Sequence, residues 1–253
     1  MSQTPPPRTS SNRDGRPVAV VTGGTRGIGL AIARELAPTH HLVIGGRSAE
    51  SVADVVASLP SAEALVADLA DCSPGGSLAT ALESLVPRLD RVDVLVHSAG
   101  VLRNGTVAES PAADWADSMT VNVVAVAAVT RALLPALRTA HGLVITVNSG
   151  SGLTATPASG AYCASKFALR ALSDSLRQEE REHGVRVTSL HPGRVDTDMQ
   201  RELVEFEGAD YDAGAYLDVA SVVRAARLAI DAGPDASVDM ISVRPRGWRP
   251  TTA

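Results

Sequence analysis

The chain has 253 residues, of which 45% are apolar, 20% are charged and 3% are aromatic, and its formal charge is −5. This length fits one α/β domain, and the acidic balance disfavours nucleic acid as a partner. We expect a soluble cytoplasmic protein without a membrane partner, because no uninterrupted apolar run reaches the ~18 residues of a membrane helix and two cysteines, Cys72 and Cys163, are too few for a disulfide scaffold.

Apolar runs and helical patterns alternate along most of the chain. Residues 1–16 are rich in Pro, Ser, Asn and Arg and lack the apolar core of a secretory signal, so a disordered tail is predicted. The apolar runs predict strands at Val18–Val21, Leu42–Ile44, Ala64–Ala67, Val92–Val96, Leu143–Val147, Val185–Leu190 and Val238–Val243. The helical patterns lie near 27–37, 49–59, 76–88, 111–139, 160–183 and 217–231.

These alternations predict a single α/β domain over residues 17–243, followed by a C-terminal tail at 244–253. The strands are apolar on both faces, which is typical of a parallel sheet covered by helices on each side. The predicted fold is therefore a doubly wound Rossmann fold with a seven-stranded parallel sheet.

The segment 193–216 departs from this regularity because its hydrophobic periodicity is weak. Eight carboxylates fall between Asp196 and Asp218, and the segment also holds Phe206, Tyr211 and Tyr216. Two interpretations stay open, an ordinary surface excursion or a mobile substrate flap over the C-terminal edge of the sheet, where open α/β folds bind their ligands.

A glycine cluster follows the first strand and opens the first helix. Glycine permits positive φ and lets the backbone approach a pyrophosphate, while the N-terminus of a helix offers free N–H groups. The spacing is G-x-x-x-G-x-G rather than the G-x-G-x-x-G of long dehydrogenases. It predicts a dinucleotide site contacted by Gly23, Thr25, Arg26, Gly27, Ile28 and Gly29.

The end of the second strand indicates which dinucleotide is bound. NAD sites carry an acidic residue there for the ribose 2′-hydroxyl, whereas NADP sites use arginine for the 2′-phosphate. Here the strand ends in Gly45-Gly46-Arg47 without a carboxylate, and Arg26 supplies a second guanidinium. Two arginines clamp a phosphate with forked hydrogen bonds, so NADP(H) is the predicted cofactor.

The only lysine of the chain, Lys166, lies four residues after Tyr162, one helical turn away on the same face. A cation beside a phenol lowers the phenol pKa and makes it a better acid and base near neutral pH. Ser149 ends a strand thirteen residues before the tyrosine and is preferred over Ser151 as the donor to a substrate carbonyl oxygen.

Together these motifs resemble a short-chain dehydrogenase/reductase over residues 17–243. The resemblance implies hydride transfer between a nicotinamide cofactor and an alcohol or carbonyl. It implies that Tyr162 is the general acid in reduction, that Lys166 binds the nicotinamide ribose, that Ser149 orients the carbonyl and that Asn122 holds a water in the proton relay. Further cofactor contacts implied by the matching motifs are Asp68 with Leu69 near the adenine, Ala99 and Gly100, Pro192 and Gly193, and Val195 and Thr197 near the carboxamide and phosphate.

One departure from the family pattern is His97-Ser98, which replaces the commoner Asn-Asn pair. A packed or strand-bridging role for His97 is favoured over a catalytic one. The long helices at 111–139 and 160–183 are rich in alanine and valine on more than one face, which predicts a homodimer or homotetramer formed through them.

The predicted activity is that of an NADPH-dependent carbonyl reductase or alcohol dehydrogenase acting on a small to medium, largely apolar ketone or secondary alcohol. A 3-oxoacyl-carrier-protein reductase is an alternative, although its polyanionic substrate would meet the eight acids between Asp196 and Asp218 against Arg194 and Arg201. A non-catalytic NADP-binding regulatory protein on the same fold is the other alternative.

Overall fold

The computed structural model describes residues 15–233 and 235–246 and confirms the doubly wound fold. The parallel sheet runs in the order β3-β2-β1-β4-β5-β6-β7. Most of the predicted N-terminal tail (1–14) and of the predicted C-terminal tail (247–253) lies outside the described residues. The strands are β1 (Val18–Thr22), β2 (His41–Gly46), β3 (Ala62–Val66), β4 (Val94–His97), β5 (Leu143–Val147), β6 (Arg186–Pro192) and β7 (Met240–Val243).

Helices cover both faces of the sheet, and each face has its own apolar core. The helices of the described chain are α1 (Gly27–Leu36), α2 (Ala49–Ala57), α3 (Ser77–Leu85), α4 (Ala112–Met119), α5 (Ala125–Ala140), α6 (Gly160–Glu179), α7 (Asp198–Phe206) and α8 (Val219–Ile230). One core joins the sheet to α1, α2 and α8 and includes Ile32, Leu36 and Val222. The other joins it to α3, α5 and α6 and includes Leu133 and Leu137.

The strand order reverses beside β1, and this reversal opens the crevice in which such folds bind their ligands. β1 pairs with β2 on one side and with β4 on the other, with Thr22 opposite His97 at the carboxyl end. The connections after β1 and β4 therefore start side by side at the C-terminal edge of the sheet and lead to helices on opposite faces. The predicted glycine loop and the predicted Ala99-Gly100 contact both lie there.

Three details differ from the sequence prediction. The segment 193–216 contains a helix, α7, which begins at an N-cap where Thr197 Oγ1 accepts the N–H of Gln200. The predicted helix 111–139 is interrupted by a π-helical turn at Thr120–Val124. The edge strands β3 and β7 are partly exposed rather than apolar on both faces, because each has a neighbour on one side only.

The helical run Ala112–Ala140 is apolar and long enough to cross a membrane by length and composition, with a mean hydropathy of 1.7 in its most apolar window. Half of that window is buried inside the domain. Its α5 part contributes Val129, Leu133 and Leu137 to the core under the sheet. The run therefore has the packing of a core helix.

Candidate active site

The glycine loop and the loop after β4 pack directly against each other. A Cβ atom at Gly23, where φ is +64°, would stand 2.7 Å from Ala99 Cα. At Gly29 a Cβ would stand 2.2 Å from the carbonyl oxygen of Gly23. A side chain at Gly23 would force the two loops apart, and one at Gly29 would clash within the glycine loop, so the sequence needs glycine here for packing as well as for the approach of a ligand.

The N-terminus of α1 has the form of a phosphate cradle. Its N-cap, Arg26, makes no side-chain cap hydrogen bond, and the first turn carries no acidic residue. Gly27 has φ of +55°, and the nearest atom to a Cβ built there would be Thr197 Cγ2 at 3.7 Å. Ile28 packs on the first core and anchors the turn. Free N–H groups and the helix dipole at this end fit the diphosphate of a dinucleotide.

The two predicted phosphate-binding arginines leave the chain at neighbouring points. A Cβ at Gly46 would stand 2.8 Å from Thr25 Cγ2, so Arg47 and Arg26 each follow one side of this contact. Arg47 is exposed. Arg26 forms ion pairs with Asp198 and Glu202 of α7, at 3.6 and 3.9 Å. Arg26 belongs to the glycine loop, and its guanidinium thus links this loop to α7.

The predicted adenine contacts lie in the turn after β3. Asp68 is half-buried, and its Oδ1 accepts the N–H of Ala70 at 3.0 Å while its own N–H donates to Ser77 Oγ at 2.9 Å. Leu69 packs against the second apolar core. These hydrogen bonds hold the turn, and the other Asp68 carboxylate oxygen has no hydrogen bond within the described residues.

Ser149, Tyr162 and Lys166 meet at the carboxyl end of β5. Ser149 is the side chain whose hydrogen bonding lowers the pKa of the Tyr162 hydroxyl, which places it next to the tyrosine. Lys166 Nζ lies 5.7 Å from the centroid of the Tyr162 ring and donates to the carbonyl of Val147 at 3.1 Å. Ser149 rather than Ser151 therefore contacts the tyrosine. A Cβ at Gly100 would stand 3.7 Å from Lys166 Nζ, which places the lysine beside the loop after β4.

The pKa values of this group differ in direction from the sequence prediction. Removal of water by the surrounding protein raises the pKa of the Tyr162 hydroxyl, and the hydrogen bond from Ser149 opposes the rise. Burial also lowers the pKa of Lys166 to about 8, since only 4% of this residue is exposed. The lowering of the phenol pKa that the sequence predicts from Lys166 is not among the causes of the shift in the protein alone, where desolvation is the largest cause.

Asn122 holds the loop after β4 against α6. Its Oδ1 accepts the N–H of Val101 at 2.9 Å, while its Nδ2 donates to the Val101 carbonyl at 3.0 Å and to Ser165 Oγ at 2.9 Å. The residue is fully buried in the π-helical turn, where Ala125 N–H donates to the Thr120 carbonyl. Its side chain is consequently engaged in three protein contacts.

His97 is a packing residue in the structure, as favoured from the sequence. It is 2% exposed, and its Nε2 lies 2.8 Å from Thr130 Oγ1 on α5. Burial lowers the pKa of His97 to about 3, so the ring is neutral at physiological pH. It fastens β4 to the helix beneath it.

The remaining predicted cofactor contacts lie in the chain after β6. Gly193 N–H donates to the Val243 carbonyl at 2.7 Å, immediately after Pro192 ends the strand. Val195 is buried in the first core and is bridged to Leu217, so only its backbone can face a ligand. Thr197 faces Gly27 as described above.

The segment 193–216 is held together by arginine–aromatic contacts. Tyr211 donates its hydroxyl to Asp196 at 2.5 Å, and the Arg201 guanidinium lies 4.1 Å from the Tyr211 ring centroid. Tyr216 lies 5.1 Å from Tyr211, centroid to centroid. Next to these contacts is a cavity of about 440 Å³, lined by Asp196, Ala213, Gly214, Tyr216, Asp218 and Val219.

Sequence reasoning missed three buried polar residues that support the site, Asn148, Ser165 and His191. Asn148 Oδ1 accepts the Ser149 N–H, and Ser165 donates to the Tyr162 carbonyl at 2.7 Å. His191 lies 2.9 Å from the Ser149 carbonyl oxygen. The available signal was a polar residue within or beside an apolar run, which becomes informative only when its spatial partners are known.

Comparisons with known proteins give a consistent family. A family model described as short chain dehydrogenase matches residues 17–208. An uncharacterized oxidoreductase of Staphylococcus saprophyticus is 31% identical over 232 residues, which cover 90% of this chain and 97% of the relative.

Two further matches carry an activity in their names. The 3-oxoacyl-(acyl-carrier-protein) reductase FabG of Haemophilus influenzae is 32% identical over 195 residues, covering 76% of this chain and 79% of the relative. The solved structure of an alcohol dehydrogenase from the archaeon Thermococcus sibiricus, complexed with 5-hydroxy-NADP, has a TM-score of 0.82 and 27% identity and covers 94% of this chain and 100% of that chain. The likeness spans the strands and helices that build the site.

Proposed function

The chain belongs to the short-chain dehydrogenase family and is an NAD(P)-dependent oxidoreductase, and from this premise we propose that it transfers a hydride between NADP(H) and a small to medium, largely apolar ketone or secondary alcohol. The observation that carries this proposal is the meeting of Ser149, Tyr162 and Lys166 beside the glycine loop. A hydroxyl pair and a cation at this edge of the sheet are what carbonyl reduction requires.

In the proposed mechanism, a bound nicotinamide supplies the hydride in reduction and accepts it in oxidation. The Tyr162 hydroxyl donates its proton to the carbonyl oxygen as negative charge develops there, and the Ser149 hydroxyl donates a second hydrogen bond to the same oxygen. Because its pKa is about 8, Lys166 is mostly protonated at neutral pH. The ammonium then stabilises the phenolate that remains.

The proposed resupply of the proton involves Asn122. Its side chain is held by three hydrogen bonds to Val101 and Ser165, and the proposal assigns the water contact to the Asn122 backbone carbonyl in the π-helical turn. Such turns shift the backbone hydrogen-bond register and are frequent at functional sites. The amide side chain then serves to hold the turn in place.

The preference for NADP(H) over NAD(H) is supported by the charges around the end of β2. Arg47 follows the strand directly, Arg26 leaves the chain beside it, and residues 45–47 contain no carboxylate. The Thermococcus sibiricus enzyme, with which this chain shares its fold, was solved with 5-hydroxy-NADP. The predicted contacts of Asp68 and Leu69, Ala99 and Gly100, and Pro192 to Thr197 surround the same crevice and form part of the proposal.

A 3-oxoacyl-carrier-protein reductase is the second candidate, favoured by the 32% identity to the Haemophilus influenzae enzyme. The structure gives an electrostatic argument against it. Arg194 pairs with Glu207, and Arg201 contacts both Asp196 and the Tyr211 ring. Both arginines of the 193–216 segment are thus neutralised from within, whereas a polyanionic carrier needs an unopposed basic rim.

The proposal also covers the organisation of the protein. Residues 17–243 act as one catalytic domain, and the 193–216 segment covers the substrate. Two copies or more pair through the helices at 111–139 and 160–183. A cytoplasmic location agrees with the two free cysteines, Cys72 and Cys163.

The test is NADPH oxidation against a panel of ketones and aldehydes, with the Tyr162→Phe variant alongside the wild type. We expect Tyr162→Phe to lower kcat by roughly 10²-fold or more, because the general acid is lost, while NADPH binding is retained. Ser149→Ala and Ser151→Ala form a matched pair in which only the first loses activity. Unchanged turnover in Tyr162→Phe would refute the mechanism, and NADPH binding without turnover of any carbonyl would favour the regulatory alternative.

A further inference from the structure

The peptide groups on either side of Ser149 are held by buried side chains. On the amino side, Asn148 Oδ1 accepts the Ser149 N–H at 2.9 Å, and Asn148 Nδ2 donates to the Lys166 carbonyl at 3.2 Å. On the carboxyl side, His191 Nδ1 lies 2.9 Å from the Ser149 carbonyl oxygen. The serine backbone is extended, with φ of −161° and ψ of 162°, and Ser149 caps the short turn that follows it. Its carbonyl also accepts the Gly152 N–H at 3.0 Å, and its hydroxyl accepts the Ser151 N–H at 3.1 Å.

His191 is fixed in one tautomer by its partners. Because a carbonyl oxygen only accepts hydrogen bonds, Nδ1 must carry a proton, and in the neutral ring Nε2 accepts from the Ser189 hydroxyl at 2.8 Å. The residue is fully buried. Burial lowers its pKa, with Arg170 and Lys166 also acting to lower it and Asp174 and the Ser149 carbonyl to raise it. The ring is therefore neutral at physiological pH, and it donates through Nδ1 to Ser149 and accepts through Nε2 from Ser189.

Its place in the sheet explains why the contact is rigid. His191 lies near the end of β6, which pairs with β5 through Val147 and Leu190, and with β7 through His191 and Ser242. Strands on both sides thus set the height of the ring relative to the Ser149 peptide. A donor anchored in this way restricts the rotation of the Ser149 peptide, and with it the direction in which the serine Cβ and hydroxyl leave the backbone.

We propose that His191 is a positioning residue that aims the Ser149 hydroxyl at Tyr162 and at the substrate oxygen through its hydrogen bond to the Ser149 carbonyl. The inference rests on the proposed reductase function for its catalytic consequence, but the contact between the two hydroxyls exists without substrate. Loss of the Nδ1 donor leaves the Ser149 carbonyl with the Gly152 N–H as its remaining partner and removes the contact that ties the serine peptide to β6.

Two uncharged substitutions separate the two ring nitrogens. The amide nitrogen of asparagine is as many bonds from the backbone as Nδ1, and that of glutamine is as many as Nε2. His191→Asn therefore keeps the donor to Ser149, whereas His191→Gln keeps only the contact to Ser189. We expect His191→Gln to lower kcat about 10-fold or more with NADPH affinity unchanged, and His191→Asn to stay within about 3-fold of the wild type.

A double-substitution cycle shows whether the effect passes through the serine. In a Ser149→Ala background, which has no hydroxyl to aim, His191→Gln should change the remaining kcat by less than about 2-fold. Equal losses in the Asn and Gln variants, or the same loss in the Ser149→Ala background, would show a general structural role and overturn the proposal. Ser189→Ala, a milder change that removes the partner of Nε2, should give a smaller loss that also vanishes in that background.

A measurement without turnover separates this proposal from the proposed function. Tyrosine labelled with ¹³C at Cζ gives three signals in this chain, and Tyr162→Phe identifies the relevant one. We expect the Tyr162 signal to shift in His191→Gln, because the hydrogen bond from Ser149 weakens, and to keep its position in His191→Asn. An unshifted signal in the folded Gln variant would overturn the positioning role even if no substrate had been found.

Discussion

The single lysine is buried at a position where desolvation disfavours its charged form, and desolvation also disfavours the phenolate form of Tyr162 beside it. Lys166 is 4% exposed, and desolvation lowers its pKa and raises that of Tyr162, so the uncharged form of each is favoured. A phenolate beside an ammonium removes part of each penalty, since opposite charges in a water-poor site attract strongly. The pair is thus arranged so that proton loss from Tyr162 is least costly while Lys166 keeps its proton.

The lysine pKa can be measured directly, because one lysine gives one signal in a protein labelled with ¹³C and ¹⁵N at the lysine side chain. We expect that signal to titrate near pH 8 rather than near the ordinary 10.5. Between these values the unfolded chain binds the proton and the folded chain does not. The free energy of unfolding should therefore rise with pH across this window, by about 3 kcal/mol at most relative to Lys166→Met. A midpoint near 10.5 would show that the ammonium is hydrated.

Rare residue types made part of the site predictable from the sequence. Lys166 is unique in the chain and lies one turn from Tyr162, and Ser149 ends an apolar run, so all three were identified without coordinates. Asn148 and His191 were not, because they act only through partners in space. The direction of the Tyr162 pKa was also mispredicted, since spacing along a helix reports the distance between two groups but not how much water surrounds them.

At the scale of single elements, α7 is the part of the 193–216 segment that adjoins the glycine loop. Its N-cap residue Thr197 faces Gly27, and its carboxylates Asp198 and Glu202 lie 3.6 and 3.9 Å from the Arg26 guanidinium. In the proposed function, Arg26 binds the 2′-phosphate of NADP(H). The same guanidinium must then choose between two carboxylates and one phosphate, so α7 lowers the affinity for NADP(H).

Neutralising those two carboxylates tests this competition. We expect Asp198→Asn combined with Glu202→Gln to strengthen NADPH binding a few-fold, because Arg26 is freed and repulsion of the phosphate falls. The gain should be small and should shrink with added salt, because all three side chains are more than 60% exposed. Fluorescence titration with NADPH and NADH at two salt concentrations measures it.

A control with the same change in net charge shows whether the effect is local. Glu205→Gln combined with Asp210→Asn removes two exposed acids of the same segment. This control should leave the ratio of NADPH to NADH affinity unchanged, whereas the Asp198→Asn, Glu202→Gln variant should raise it. An equal rise for NADH in the α7 variant would mean that the 2′-phosphate is not the group involved.

The elements that the sequence failed to predict depend on long-range contacts or on a diluted pattern. The π-helical turn at Thr120–Val124 places Asn122 between Val101 and Ser165, and neither partner is near it in sequence. In α7 the charged residues obscure a short apolar face, although Thr197 followed by Asp198 is an ordinary helix start. The five inner strands were predictable because buried parallel strands have continuous apolar runs.

At the scale of the whole molecule, α5 and α6 leave apolar side chains in water. Val124, which closes the π-helical turn at the start of α5, is 48% exposed, and Phe167 on α6 is 42% exposed. In the first half of α6, Ala164, Phe167 and Ala171 are exposed at helical spacing. Apolar side chains grouped on neighbouring helices are typical of a surface that a second subunit covers.

We expect the protein to have a solution mass of two or four times the 26.1 kDa chain at micromolar concentration, as measured by light scattering. Phe167→Glu should shift the mass towards one chain, because a carboxylate buried between subunits has no partner and loses its hydration. Val66→Glu is the matched control, since Val66 is 40% exposed on the edge strand β3 at the far side of the sheet, and it should keep the wild-type mass. A wild-type protein that stays at one chain mass would contradict pairing through these helices, and dissociation of both variants alike would mean that any added charge weakens the assembly.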